Sequence, residues 1–396
     1  MLSSVCCQFV GAKEVGLSDL LESLSNNAEV RERAARLAAS EAALRSTTLQ
    51  ADPRIRLSLD SDIASSETAA RQTELTVEHS FWDWGKSDAA IAAAEAKVGQ
   101  RKSSVVARQQ ALRKEVINNF AQGVAEIALL GVYDQSLEEL RELSSNMARR
   151  VEQRISPETE LRVVQSRIRQ QQVLARESRS RIRNAELALL QATELTPTQW
   201  QLPVCLLEYG ERQLVESSLA HSGDLAEQRS RIVELQRNLE RIARSQLPEV
   251  LGGVGLSADL NDFESETRAY VRLQYEPDFV GRNAAEYAEA EADLEASFAG
   301  EKVRINQIIN EVSDLLNQYK TARDLRPTYQ LLAETQDQQL ASQNRRFKSG
   351  LSTWLDVMSA QDELTRTRAA LKQAEVTQCL TTLLLLDLAG KAISNE

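Results

Sequence analysis

The chain has 396 residues and a formal net charge of −11, with 42% hydrophobic and 27% charged residues but only 15 Gly, 7 Pro and 5% aromatics. So few helix breakers, in a chain rich in Ala, Leu, Glu, Arg and Gln, exclude disordered tails and collagen-like repeats and point to long helices. An acidic balance with no basic run argues against nucleic acid as a partner, and two histidines and four cysteines without metal-ligand spacing leave no zinc site and no Cys–His nucleophile pair.

The first segment, 1–16, lacks the basic n-region, apolar stretch and small-residue cleavage site of a signal peptide, and Val5 before Cys6 rules out a lipoprotein box. An exported form would carry a signal already removed or lying upstream of this start. The adjacent Cys6 and Cys7 are awkward disulfide partners and Cys379 lies in a helical pattern, so these three and Cys205 read as structural or incidental.

Self-comparison shows a duplication. Ala28-Glu-Val-Arg-Glu-Arg-Ala-Ala-Arg36 aligns with Gly223-Asp-Leu-Ala-Glu-Gln-Arg-Ser-Arg231, and Pro53 with Pro248 and Asp83 with Asp278 at the same offset of 195. Gly85 pairs with Gly281, and Leu161-Arg-Val163 with Leu355-Asp-Val357. The repeats cover 17–200 and 212–391, with a Pro-bearing linker closing at 201–211 and a short tail at 392–396.

Each repeat reads in the same order. A first helix (Leu17–Leu49; Leu214–Gln246) is ended by the proline that follows it. Two period-two segments come next, at about 54–62 and 73–82 in the first repeat and 250–260 and 267–276 in the second. In the first of these Ile55, Leu57 and Leu59 oppose Arg54, Arg56, Ser58 and Asp60. The stretches Ser61–Gln72 and Asn261–Glu266 read as loops. A helix of roughly 60 residues, about 90–100 Å of it, follows each strand pair. After a break there is a further long helix with heptad-like seams such as Val357, Leu364 and Leu371. Ser87 and Asn283 are expected to cap the long helices. Pro327 is expected to kink the second.

No stretch approaches the roughly 18 apolar residues of a spanning helix, but a spanning strand needs only about 9–11 alternating ones. Strands alone would suit a small sheet with one face on a core. The neighbouring helices are too long to fold back over it as a compact layer. Four strands cannot close a barrel, so membrane-spanning strands would have to be shared between chains, and three chains would supply twelve.

The sequence resembles the TolC-like outer membrane channel proteins, the exit ducts of efflux pumps and type I secretion systems. The match is carried by the duplicated helix–strand–strand–helix–helix order, by Phe81-Trp82-Asp83-Trp84-Gly85 at a strand–helix junction, and by Arg346-Phe-Lys-Ser-Gly-Leu-Ser-Thr-Trp-Leu-Asp-Val-Met-Ser-Ala-Gln361 at a helical tip. The resemblance implies a mainly α fold with a membrane β-barrel portion: a homotrimer with a twelve-stranded barrel among outer membrane lipids and a long α-helical barrel in the periplasm. It implies a passive duct docked to a periplasmic adaptor and an inner-membrane ABC or proton-driven pump, with no cofactor and no enzymatic activity. A soluble coiled-coil scaffold is the alternative, and it would not need the strands.

The resemblance also implies roles for residues. Asp356 matches one of the carboxylates that face the axis at the closed entrance, while Ser359 stands at the second such position. Phe347, Ser352 and Arg162 stand where the family's constricting links are made, so those links do not carry over, and Arg162 is expected to pair with Asp356 or Asp362 instead. Gly350, Leu351 and Ser352 match the tip turn that contacts the adaptor. The first tip, Ile155-Ser-Pro-Glu-Thr159, is shorter and lacks the glycine. Trp82, Trp84, Tyr270, Tyr275 and Phe81 are the aromatics placed to supply a membrane girdle. The cargo is not legible.

Overall fold

The computed structural model describes residues 14–49, 53–61, 71–203, 205–259 and 265–391. Cys6, Cys7, the tail at 392–396 and most of the predicted loops after the first and third strands lie outside these residues. In chain order the elements are α1 (Leu17–Ser23), α2 (Ala28–Leu49), β1 (Arg54–Ser61), β2 (Arg71–Trp82), α3 (Lys86–Glu152) and α4 (Glu158–Thr193). The same order then recurs as α5 (Glu211–His221), α6 (Gly223–Ser245), β3 (Glu249–Asp259), β4 (Ser265–Gln274), α7 (Arg282–Lys348) and α8 (Trp354–Leu388). Both long helices, α3 and α7, have 67 residues.

Two expectations are corrected. The helices expected as continuous over Leu17–Leu49 and Leu214–Gln246 are each two helices, broken at Asn27 and at Ser222, positions 195 apart. A polar residue restarts the first: the Asn27 Oδ1 accepts from the Glu29 N–H at 2.8 Å, and its Nδ2 donates to the Ala192 carbonyl at 2.8 Å. The strand pairing also reaches into the predicted loops, to Ser61 opposite Arg71 and Ala258 opposite Ser265, because an antiparallel ladder satisfies each further backbone pair it adds. Pro327 lies within α7, which is helical on both sides of it.

The sheet has the order β1-β2-β3-β4 with every pair antiparallel. Leu57 opposes Leu75, which opposes Leu256; Ile55 opposes Val77, which opposes Val254. One face is therefore aliphatic across all pairings, as period-two side chains require. Among the described residues the outer edges of β1 and β4 have no strand partner.

The chain forms two compact units. One consists of Arg31–Arg108 and Gly223–Asn306, which contain the sheet. Polar contacts between its helices include Ser103 Oγ to Ser230 Oγ at 2.8 Å and Gln228 Nε2 donating to the Ser297 carbonyl at 2.8 Å. The other unit consists of the described residues up to Val30, Gln109–Ser222 and those from Gln307 on. Its core near the ends of α3 and α7 joins Leu143, Met147, Val164, Leu340, Phe347, Trp354 and Leu364 from four helices. Its linker is strapped down along its length: Trp200 stacks on Phe120 with centroids 5.1 Å apart, and the Leu207 N–H donates to the Tyr319 hydroxyl at 3.2 Å. A disulfide joins Cys205 to Cys379 of α8, and Gln378 Nε2 donates to the Cys205 carbonyl at 2.9 Å. The sequence leaves all four cysteines as structural or incidental; the structure pairs these two across a separation of 174 residues.

Candidate functional site

The sheet has two chemically distinct faces. Ile55, Leu57, Leu59, Val254, Val271 and Leu273 are all exposed on the aliphatic face, Leu57 by 71% and Val271 by 77%. Shedding that much apolar surface into water is unfavourable at roughly 25 cal/mol per Å². The other face carries Arg54, Arg56, Glu74, Glu78, Arg268 and Arg272, with Arg268 paired to Glu74 at 3.1 Å and Arg272 to Glu78 at 3.7 Å.

At the end of β2 the register shifts between Ser80 and Trp82, which sets Trp82 opposite Val250 on the aliphatic face. Trp82 packs edge-on against Trp84 at 6.1 Å. Tyr270 departs from the girdle expectation: it is on the polar face, its hydroxyl donating to Glu78 Oε1 at 3.3 Å. Phe279 and Val280, which the sequence reading missed, are 89% and 92% exposed in the loop after β4. Their signal was a pair of apolar residues directly before Gly281.

The junctions into the long helices are built alike. Asp83 accepts from the N–H groups of Gly85 (2.9 Å) and Ser87 (2.8 Å), while Asp278 accepts from those of Arg282 (3.0 Å) and Asn283 (2.8 Å). The two aspartates, not Ser87 and Asn283, therefore hold the first amides; the expected caps lie inside the helices. Gly85 and Gly281 turn the chain at φ 78° and 77°. Burial pushes the Asp83 carboxyl up, but the Ser87 hydroxyl and the amides outweigh it and the net direction is down. Asp278 is lowered likewise, with its backbone amides outweighing desolvation.

At the tips, α7 turns into α8 through Gly350 at φ 74°, with the Leu351 N–H donating to the Arg346 carbonyl at 2.8 Å. Leu351 is 72% exposed. Ser352 Oγ lies 2.9 Å from both Gln343 Oε1 and Asp356 Oδ2. Asp356 is exposed in the first turn of α8 and forms a capping box with Thr353, whose N–H donates to its Oδ2 at 2.8 Å and whose hydroxyl donates at 2.7 Å. Those Thr353 bonds and the Ser352 hydroxyl hold the carboxyl below the usual range.

Ser359 is exposed on the same helix, and Glu363 and Arg366 continue that exposed face at three- and four-residue steps. Glu363 went unnoticed in the sequence, although it lies seven residues after Asp356. Arg162 pairs with Glu158 of its own helix at 3.0 Å rather than with Asp356 or Asp362. Asp362 is instead held by Arg167 at 3.1 Å. One helical turn of separation explains the exchange: Glu158 lies at i−4 from Arg162, the favoured side-chain spacing. Phe347 is buried in the core, with the Arg150 guanidinium 4.9 Å from its ring centroid, and it borders a cavity together with Leu143 and Val357.

Among the described residues no cluster of His, Cys, Asp or Glu could hold a metal, and no helix is long and apolar enough to cross a membrane. Residues 214–390, almost the whole second repeat, match the family model described as outer membrane efflux protein. Through this segment the chain is similar to the outer membrane efflux protein family. The fold of the chain as a whole is similar to that of three solved structures. The channel CusC superposes with a TM-score of 0.81 at 16% identity, covering 97% of this chain and 96% of that one. The outer-membrane channel OprN gives 0.84 at 14% identity over 95% and 90%. The outer membrane protein VceC of Vibrio cholerae gives 0.82 at 16% identity over 96% and 97%. No curated protein matches the sequence significantly.

Proposed function

We propose that this chain is one protomer of an outer membrane exit duct that passively conducts substrate outward, as part of a tripartite efflux pump or a type I secretion system. The sheet carries the reading. Its aliphatic face is exposed and both of its edges are open. In water such a sheet invites aggregation, and in lipid open edges leave backbone groups unsatisfied. Three copies joined β1 to β4 would close twelve strands, put the aliphatic face against lipid and turn the arginine- and glutamate-bearing face inward. The similarity to the channels CusC and OprN supports the reading, as does the disulfide, since such bonds persist in oxidising compartments.

Conduction would begin at the tips. Asp356 and Glu363, brought around one axis by three copies with Ser359 between them, would form carboxylate rings that attract cations. Ile155, Gly350, Leu351 and Ser352 would meet a periplasmic adaptor, and an inner-membrane pump would supply the energy. The test is extraction from outer membranes in detergent, followed by native mass measurement and planar-bilayer recording. A trimer with discrete conductance steps is expected; a chain that stays soluble and monomeric without detergent overturns the reading.

A further inference from the structure

One part of the sheet's polar face departs from the acidic balance of the chain. There, Arg54, Arg56, Arg268, Arg272, Glu74 and Glu78, together with Tyr270, line one concavity of about 590 Å³. Both carboxylates are already engaged from β4: Glu74 by Arg268 at 3.1 Å, and Glu78 by Arg272 at 3.7 Å and by the Tyr270 hydroxyl at 3.3 Å. The Arg272 guanidinium is further steadied 5.1 Å from the Tyr270 ring centroid. Arg54 and Arg56 of β1 are exposed and have no ion-pair partner among the described residues, although Arg54 lies directly opposite Glu78 in register. The concavity therefore has two positive charges in excess, on neighbouring same-face positions of one strand.

We propose that this concavity is a binding site for multivalent oxyanions, solutes bearing clustered phosphate, sulfate or carboxylate groups. A guanidinium presents a fixed fork of donors that matches such oxygens bidentately, and here two forks stand free beside a rigid, paired rim. The inference rests on the duct reading for its setting. With that face turned inward in three copies, the exit section of the duct carries three such sites, each opposite in sign to the carboxylate rings proposed at the tips.

The experiment uses inositol hexakisphosphate as the probe on the detergent-extracted full-length protein in planar bilayers. Added on the barrel side it is expected to block conductance, and the Arg54→Gln/Arg56→Gln double variant to weaken the block at least tenfold. Arg54→Lys/Arg56→Lys, which keeps charge but loses the fork, should fall between. Open pores that are not blocked, or blocked equally in the wild type and the glutamine variant, overturn the site and leave the duct reading intact. If no pore forms, the duct reading fails, and the site is decided by calorimetric titration of the probe into the same protein. Binding that the glutamine variant loses supports the site, and absence of binding overturns it.

Discussion

Ile155 and Leu351 occupy equivalent places in two turns whose sequences differ. Each donates its backbone N–H over 2.8 Å to the carbonyl five residues back, Arg150 and Arg346 respectively, and each leaves its side chain exposed. The residue before each is left-handed: Arg154 at φ 58° in the first tip, Gly350 at 74° in the second. The first tip lacks the glycine yet keeps the geometry, with an arginine bearing the strain. That conformation costs an L residue roughly 1–2 kcal/mol.

The equivalence is testable by exchange. Gly350→Ala is expected to lower stability by about 1 kcal/mol, and Arg154→Gly to raise it by less, since relief of strain is partly offset by a freer unfolded chain. Thermal unfolding of the purified protein reads both. A loss of stability in Arg154→Gly would show that its left-handed turn is held for some contact of the arginine rather than tolerated at a cost.

The strands were legible because a period of two needs no partner to be seen, and the repeat was legible because Pro53/Pro248 and Asp83/Asp278 keep one offset. What the sequence hid was mostly choice between neighbours. Asp83 and Ser87 could each have capped α3, and only the turn geometry at Gly85 brings the aspartate to the amides. Arg162 had three carboxylates to choose from and took the one a helical turn away. Tyr270 was counted as a girdle aromatic, but its parity on β4, shared with Arg268 and Arg272, puts it on the polar face. Cys205 and Cys379 are brought together by the linker's path, which no local pattern encodes.

That disulfide is expected to contribute substantially to stability. Closing a loop of this length in the unfolded chain corresponds to about 5 kcal/mol of chain entropy, and removing native disulfides typically costs about 2–5. Cys205→Ser/Cys379→Ser should therefore melt well below the wild type, and reductant should lower the wild type's midpoint while leaving the variant's unchanged. Peptide mapping without reductant should recover the cross-linked pair. Two freely alkylated thiols in the native protein would refute the bond.

The junction and tip aspartates set the acid limit. Asp83, Asp278 and Asp356 all have carboxyls held below 3.8 by helix-start amides and hydroxyls. A depressed folded value means the stabilisation is fully present above the unfolded value and is lost as pH falls through the folded one. Helical signal followed from pH 6 to pH 2 should thus decline below about pH 4, and the Asp83→Asn/Asp278→Asn variant should show a shallower decline. An unchanged acid profile in that variant would exclude these caps as its source.

Asp387 works in the opposite sense. Burial drives its carboxyl above 3.8, and the Arg113 guanidinium 2.8 Å away pulls it back only in part. A raised folded value for an acid means that its stabilising share is full below the unfolded value and is lost as pH rises through the folded one. Above that folded value the chain carries a charge it would be more stable without, tolerated because Arg113 faces it. Removing the partner and removing the charge should differ accordingly. Arg113→Ala strands a buried carboxylate and is expected to cost as much as about 3 kcal/mol, the low end for unpairing a buried ion, since Arg113 itself keeps 36% of its side chain exposed. Asp387→Asn leaves only a partly solvated arginine and should cost much less. The Arg113→Ala deficit should also shrink as pH is lowered towards 4, where the stranded carboxyl takes up a proton. Thermal midpoints of both variants at pH 7 and pH 4.5 check this, and a deficit for Arg113→Ala that is independent of pH would mean the arginine stabilises by packing its aliphatic stem instead.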